Sequence, residues 1–184
     1  MAWAFLAQQD QPEEKARPGQ QRELQFQFLA QPTDVNFGGK MHGGAVLRWI
    51  DQTGYASAVA WSCKYCVTVA IGGIEFVAPI LIGDLVRVNC KLVHTGTSSM
   101  HFMVEVIARD LRSTEERLAT HCVMTFVALD APDGKPTPVP KWVPVSEEDQ
   151  SLARYALKVM EVGKRIDQEA AALRPAWLFP VRGS

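Results

Sequence analysis

From Gly43 to Trp61 the chain is made mostly of Gly, Ala, Val, Leu, Ile and Trp, with Arg48, Asp51 and Gln52 as its strongly polar members, all near its start. A helix that is apolar on nearly every side is a buried helix. On the helical repeat Gly44, Leu47, Asp51, Gly54, Tyr55 and Ala58 fall along one stripe, which aims Asp51 where neighbouring backbone or a ligand comes close. Acids seldom enter a core without a partner or a purpose. Two readings follow: Asp51 is a functional base, or it is a structural acid, either paired with Arg48 or Gln52 or sitting at the exposed start of the helix.

The segment leading into this helix, Asp34-Val35-Asn36-Phe37-Gly38-Gly39-Lys40-Met41-His42-Gly43-Gly44, is rich in glycine. The first N–H groups of a helix lack an internal partner and lie at the positive end of its dipole, so those of Gly43 and Gly44 are suited to hold a developing negative charge. With Asp51 on the same helix, a base and an oxyanion hole come together. The plainer alternatives are an Asx turn for Asn36 and a tight helix entry for Gly43-Gly44. His42 reads as a helix-start residue.

Strands surround this helix in sequence. Arg22 to Leu29 alternates, with Leu24, Phe26 and Phe28 on one face. Cys66 to Ala78 is a β-branched run interrupted by Gly72-Gly73, a pair that signals a bulge or the close approach of a ligand or another backbone. Asp84–Val93, Met100–Leu111 and Arg117–Leu129 keep period two and are separated by turn-forming residues, the pattern of an antiparallel meander. His94, His101 and His121 lie on or beside these strands as surface or rim residues. A second helix is expected from about Ser146, its N-cap, with Leu152, Tyr155, Ala156 and Val159 at helical spacing. The division expected is a loose tail (1–21), a main domain (22–130), a Pro-rich linker leaving the core (131–145), and a C-terminal helix and tail (146–184).

Net charge of −1 provides no basic footprint for nucleic acid or a membrane surface, and no run approaches the roughly 20 apolar residues that cross a bilayer. The N-terminus lacks the cationic and long apolar regions of a secretory signal. The expectation is a soluble, cytoplasmic protein, with neither nucleic acid nor membrane as a partner. Of the four cysteines, Cys63 and Cys66 form a Cys-x-x-Cys pair, but they follow a helix rather than opening one, where the dipole would activate a thiol. Zinc would need Cys90 and His94 as further ligands; reduced, packed thiols are the default.

One long buried helix after the first strand, followed by four more strands, fits an α+β architecture: an antiparallel five-stranded sheet wrapped around a central helix, plus a C-terminal helix. Such a sheet leaves an edge exposed, and pairing edges between two copies makes a homodimer the minimum, with tetramer or trimer of dimers as larger alternatives. At Asp34-Val35-Asn36, His42-Gly43-Gly44, Trp49-Ile50-Asp51, Val67-Thr68-Val69-Ala70, Phe76-Val77-Ala78-Pro79-Ile80, Gly83-Asp84 and Gly96-Thr97-Ser98-Ser99-Met100, the chain resembles the acyl-CoA hydrolase branch of the hotdog thioesterases. The resemblance covers about Arg22 to Leu129.

It implies a hotdog fold and hydrolysis of the acyl-CoA thioester. Asp51 takes the role of general base on water, or of direct nucleophile. Asn36 would reach the active site of the neighbouring protomer, so that each site needs two chains. The turn Gly96, Thr97, Ser98 and Ser99 would contact the CoA nucleotide, and Thr68 would pass beside the central helix, although a hydroxyl there also suits local backbone. The chemistry itself needs neither metal nor organic cofactor, because a thiolate leaves readily and the task is to position and deprotonate water. Trp49, Tyr55 and Trp61 are the candidates to line or block an acyl tunnel. Two other functions compete. A non-catalytic acyl-CoA sensor would need a DNA-binding extension, for which the residues before the first strand are too few and too polar. A dehydratase would need a histidine within the buried helix, where none stands.

Overall fold

The computed structural model describes residues 20–173, so residues 1–19 of the expected tail and 174–184 of the C-terminal segment lie outside it. Five strands, β1 (Glu23–Leu29), β2 (Tyr65–Phe76), β3 (Asp84–Thr95), β4 (Ser99–Asp110) and β5 (Arg117–Leu129), form one sheet in the order β1-β3-β4-β5-β2. Every pairing is antiparallel. The last three strands make the expected meander, while β1 and β2 occupy the two edges. The helices are α1 (Gly43–Ser62) and α2 (Glu147–Leu173).

Period two decides which face each strand residue takes. Val86, Val88, Cys90 and Leu92 of β3, Met100, Phe102, Val104 and Val106 of β4, and Cys122, Met124 and Phe126 of β5 point at α1 and are shut off from solvent. The helix answers with Val46, Trp49, Ile50, Thr53, Gly54, Ser57 and Ala58. Small residues let it sit close: a Cβ on Gly54 would lie 2.8 Å from the Phe126 ring.

The expectation of a helix buried on nearly every side needs correction. Gly43, Gly44, Arg48, Asp51 and Gln52 in its N-terminal half, and Tyr55 just past its midpoint, are exposed in the single chain. Gly54 and Ala58, assigned by spacing to the stripe of Asp51, turn into the core, Gly54 against Phe126 and Met124 of β5. The run of small apolar residues thus serves close packing on one side rather than all-round burial.

The opposite face of the sheet receives α2. Val93 and Val123, of outward parity on their strands, are buried with Ala156 and packed by Met103, Leu152 and Val159. The Ser146 hydroxyl caps this helix by accepting from the Asp149 N–H at 3.1 Å. The Gly72-Gly73 pair marks the bulge its sequence signalled, and what comes close there is a side chain of α2 rather than a ligand or another backbone. The β2 register shifts between Gly72 and Glu75, Gly73 has φ of 62°, and a Cβ on Gly72 would meet Val159 at 2.7 Å.

The Pro-rich segment, expected to leave the core, folds back across the end of the sheet. Thr137 and Val139 donate backbone N–H groups to the carbonyls of Ala128 and Thr97, and the Pro140 carbonyl accepts from the Trp61 indole at 3.0 Å. Proline removes ladder donors, but its carbonyls and the intervening amides still bind. Trp142 then packs beneath the Arg22 guanidinium at 4.4 Å, and Arg22 pairs with Asp149 of α2. No helix among the described residues is long and apolar enough to cross a membrane.

Candidate active site

The exposed flank of α1 faces the inner side of β2. Because β2 returns antiparallel to the helix, its early residues lie beside the middle of α1 and its late residues beside the helix start. The Thr68 hydroxyl donates to Asp51 Oδ1 at 2.6 Å, and the Phe76 ring stands 3.5 Å from where a Gly43 Cβ would be. Thr68, Ile71 and Phe76 share inward parity across the bulges, as their partners Phe126, Met124 and Thr120 show.

Neither structural pairing considered for Asp51 occurs. Arg48 instead binds Asp34 at 3.2 Å, across the loop. Asp51 is exposed, and among the described residues its side-chain partner is Thr68. Its exposure matches the plain alternative of an acid on the open start of the helix, while one oxygen is held by Thr68 and the other faces solvent.

At the start of α1, the N-cap His42 makes no side-chain cap bond, so the first amides of the helix stay open to an incoming oxygen. A cavity of about 330 Å³ adjoins them, lined by Asn36, Gly43, Met41, Phe76, Pro79 and Ala119 among others. The Asn36 Oδ1 accepts from Gly38 N–H at 2.9 Å and Lys40 N–H at 3.3 Å, the Asx-type turn that was its plainer reading. This closes the loop, helped by Gly39 at φ of 71° and by the Val35 to Met41 bridge. It also fixes the asparagine so that its NH₂ group has no partner among the described residues. Within one chain neither Asn36 nor the Gly43–Gly44 amides meet Asp51, so the base and oxyanion hole expected together on one helix stand apart: Gly43 and Asp51 are separated by about 12 Å of helix rise, and the cavity at the loop does not include Asp51 or Thr68.

Ser99 lies in the same row of the sheet as Val67, through Val127, so the turn Gly96 to Ser99 sits two strands from the Asp51–Thr68 pair, about 10 Å away. The turn is tied by its carbonyls, with Thr97 O accepting from Val139 and Ser98 O from Ala128, both at 3.0 Å. The N–H groups of Thr97 and Ser98 have no acceptor among the described residues.

Several side chains behave differently from expectation. Trp49 stacks on Phe28 at 4.8 Å and Trp61 is pinned to Pro140, both within the core, which leaves Tyr55 as the exposed aromatic on the Asp51 flank. The residues considered for zinc are scattered. Cys63 is exposed, Cys90 faces the core with its thiol pushed up to about 12 by burial, and no group of three or more metal-binding side chains gathers among the described residues. His101, read as a rim residue, is only 1% exposed. The signal that would have placed it was available: β4 points Met100 and Phe102 inward, so His101 shares a face with Met103, whose neighbours Val93 and Val123 are too apolar for an open surface.

Comparison with known proteins places the fold and the sequence in a family. The profile of the Thioesterase superfamily matches residues 38–115. YkhA of Bacillus subtilis, described as an uncharacterised acyl-CoA thioester hydrolase, is 34% identical over 145 residues, covering 79% of this chain and 84% of its own. A hexameric acyl-CoA thioesterase, solved in its apo form, superposes with a TM-score of 0.75 at 32% identity, covering 86% of this chain and 98% of that one. The acyl-CoA hydrolase of Staphylococcus aureus, solved with butyryl-CoA, CoA and CoA disulfide, superposes with a TM-score of 0.74 at 26% identity, covering 83% of this chain and 92% of that one. Structures of that enzyme have also been determined with an asparagine, an aspartate and a threonine each replaced by alanine. By its fold, its sequence and the extent of these matches, the chain belongs to the thioesterase superfamily, among the hotdog acyl-CoA hydrolases.

Proposed function

We propose that this protein hydrolyses acyl-CoA to a free fatty acid and CoA, with Asp51 as the general base. The observation that carries this is the Thr68–Asp51 hydrogen bond, which holds an exposed carboxylate on the open flank of α1. Asp51 takes a proton from water as the water oxygen attacks the thioester carbon. The carbonyl oxygen becomes an oxyanion and is received by the amides of Gly43 and Gly44 of the neighbouring protomer, which come with its Asn36 loop, since those of the same chain lie about 12 Å of helix rise from Asp51. Collapse breaks the C–S bond, and the proton on Asp51 passes to the departing sulfur. The three residues replaced in the S. aureus enzyme have the same sequence separations as Asn36, Asp51 and Thr68, which supports this choice of residues.

Asn36 serves the partner's site. The edge strand β2 exposes Val69, Ile71, Ile74 and Phe76, an apolar surface of the kind a second copy covers. A two-fold pairing there would lay the loop of one chain against the open α1 flank of the other, and a trimer of such dimers matches the hexamer seen in one relative. The CoA nucleotide lies against Thr97 and Ser98, whose free N–H groups suit phosphate oxygens. The four free thiols fit the reducing cytoplasm. The test is a screen of the purified protein against acyl-CoA substrates from acetyl to palmitoyl, following thiol release with a thiol-reactive dye and the freed acid by mass spectrometry. Turnover of at least one chain length is expected. Tight binding without turnover would instead assign the chain to the acyl-CoA sensors.

A further inference from the structure

His101 has no place in the chemistry above, yet both of its ring nitrogens are engaged. On the outer face of β4 and closed over by α2, its Nδ1 lies 2.9 Å from the Thr125 hydroxyl and its Nε2 3.2 Å from the Ser99 hydroxyl. Ser99 is the hinge of the β3–β4 turn. Its carbonyl accepts from Gly96 N–H at 2.9 Å, and its hydroxyl is folded over Gly96 so closely that a Cβ there would come within 2.6 Å of it. A side chain at position 96 would displace the hydroxyl that His101 holds.

We infer that His101 is a positioning residue, holding the Ser99 hydroxyl and with it the Gly96 to Ser99 turn in the shape that presents the Thr97 and Ser98 amides to the nucleotide end of CoA. This rests on the proposed contact between that turn and CoA. Burial, reinforced by His94 and Lys164, pushes the His101 pKa down to about 4, so the ring is neutral across the working range of an enzyme. A neutral imidazole has one N–H and one lone pair, and hydroxyls on both sides complement either tautomer. The turn is therefore anchored from beneath by a side chain whose charge state does not change, while its amides face outward.

The experiment compares one acyl group carried on CoA and on pantetheine, which has the same thioester but no nucleotide. His101→Asn keeps a polar group where Nδ1 faces Thr125 and removes the one facing Ser99; His101→Gln reaches the Nε2 position and restores it. The expected result is a KM for acyl-CoA raised about three- to tenfold in His101→Asn, the scale of one ordering hydrogen bond. Its kcat should be unchanged, its KM for acyl-pantetheine unchanged, and His101→Gln close to wild type. Ser99→Ala should show the same substrate-selective rise, and the double variant Ser99→Ala/His101→Asn should be no worse than the larger single effect; this series decides the matter if His101→Asn alone folds poorly. Equal losses on both substrates, or a lowered melting temperature with KM unmoved, would overturn the inference by making His101 a packing residue. If the wild type itself handled acyl-CoA and acyl-pantetheine equally well, the turn would not contact the nucleotide, and that reading would fall together with the role of His101.

Discussion

The proposed division of each site between two chains has a numerical consequence. Asn36→Ala damages the loop contributed to the partner, and Asp51→Ala removes the base; each homodimer then carries two defective sites. When equal amounts exchange subunits at random, half of the dimers are mixed. In a mixed dimer one site combines both lesions, and the other combines a native Asn36 loop with a native Asp51 helix. One intact site in half of the dimers is about a quarter of all sites, so the mixture should recover about a quarter of wild-type turnover per protomer from a nearly silent background. The substitutions suit the test because both side chains are exposed in the single chain. Asn36→Ala also loosens the turn by freeing the Gly38 and Lys40 amides, a cost that falls on the same loop. The assay is thiol release before and after exchange, with the fraction of mixed dimers counted by native mass spectrometry. Verified mixed dimers without recovered activity would refute the shared site and require both residues to act within one chain.

Two further outcomes follow from the geometry. Thr68→Val keeps the shape of the side chain but removes the bond to Asp51; hydrogen bonds to charged groups contribute about 1.5–3 kcal/mol, so kcat should fall on the order of tenfold or more, while Thr68→Ser should retain most of it. Gly72→Ala drives a Cβ to 2.7 Å from Val159, and chemical denaturation should show a loss of about 1–3 kcal/mol that Val159→Ala largely relieves.

The strands could be read in the sequence because one face of each is buried, and period two then survives in the residue types. The meander of β3, β4 and β5 and the Ser146 cap are local signals of this kind. Asp51 could be singled out because an acid in an apolar helix is costly without a reason. Its partner could not be chosen. Arg48 and Gln52 were nearer in sequence, and Thr68 reaches Asp51 through the fold of β2 against α1. The exposure of the Asp51 flank was half hidden. Its glycines and Tyr55 read as part of an apolar run, although Arg48, Asp51 and Gln52, the strongly polar members of that run, all lie on the same exposed flank. The return of the Pro-rich segment was illegible because its bonds to Ala128, Thr97 and Trp61 join residues far apart in sequence and use carbonyls, which every residue type has.

The central claim is that Asp51 deprotonates water, and Asp51→Asn tests it most directly. The amide keeps the volume of the carboxylate and can still accept from Thr68, and a change at an exposed position away from the core should alter stability by no more than about 0.5 kcal/mol. Only the basicity is removed. With folding monitored in parallel, kcat on the best acyl-CoA substrate should drop about a hundredfold or more, the usual contribution of a general base. A folded Asp51→Asn protein that retained turnover within about tenfold of wild type would contradict the account, since the loss would then be smaller than proton transfer requires.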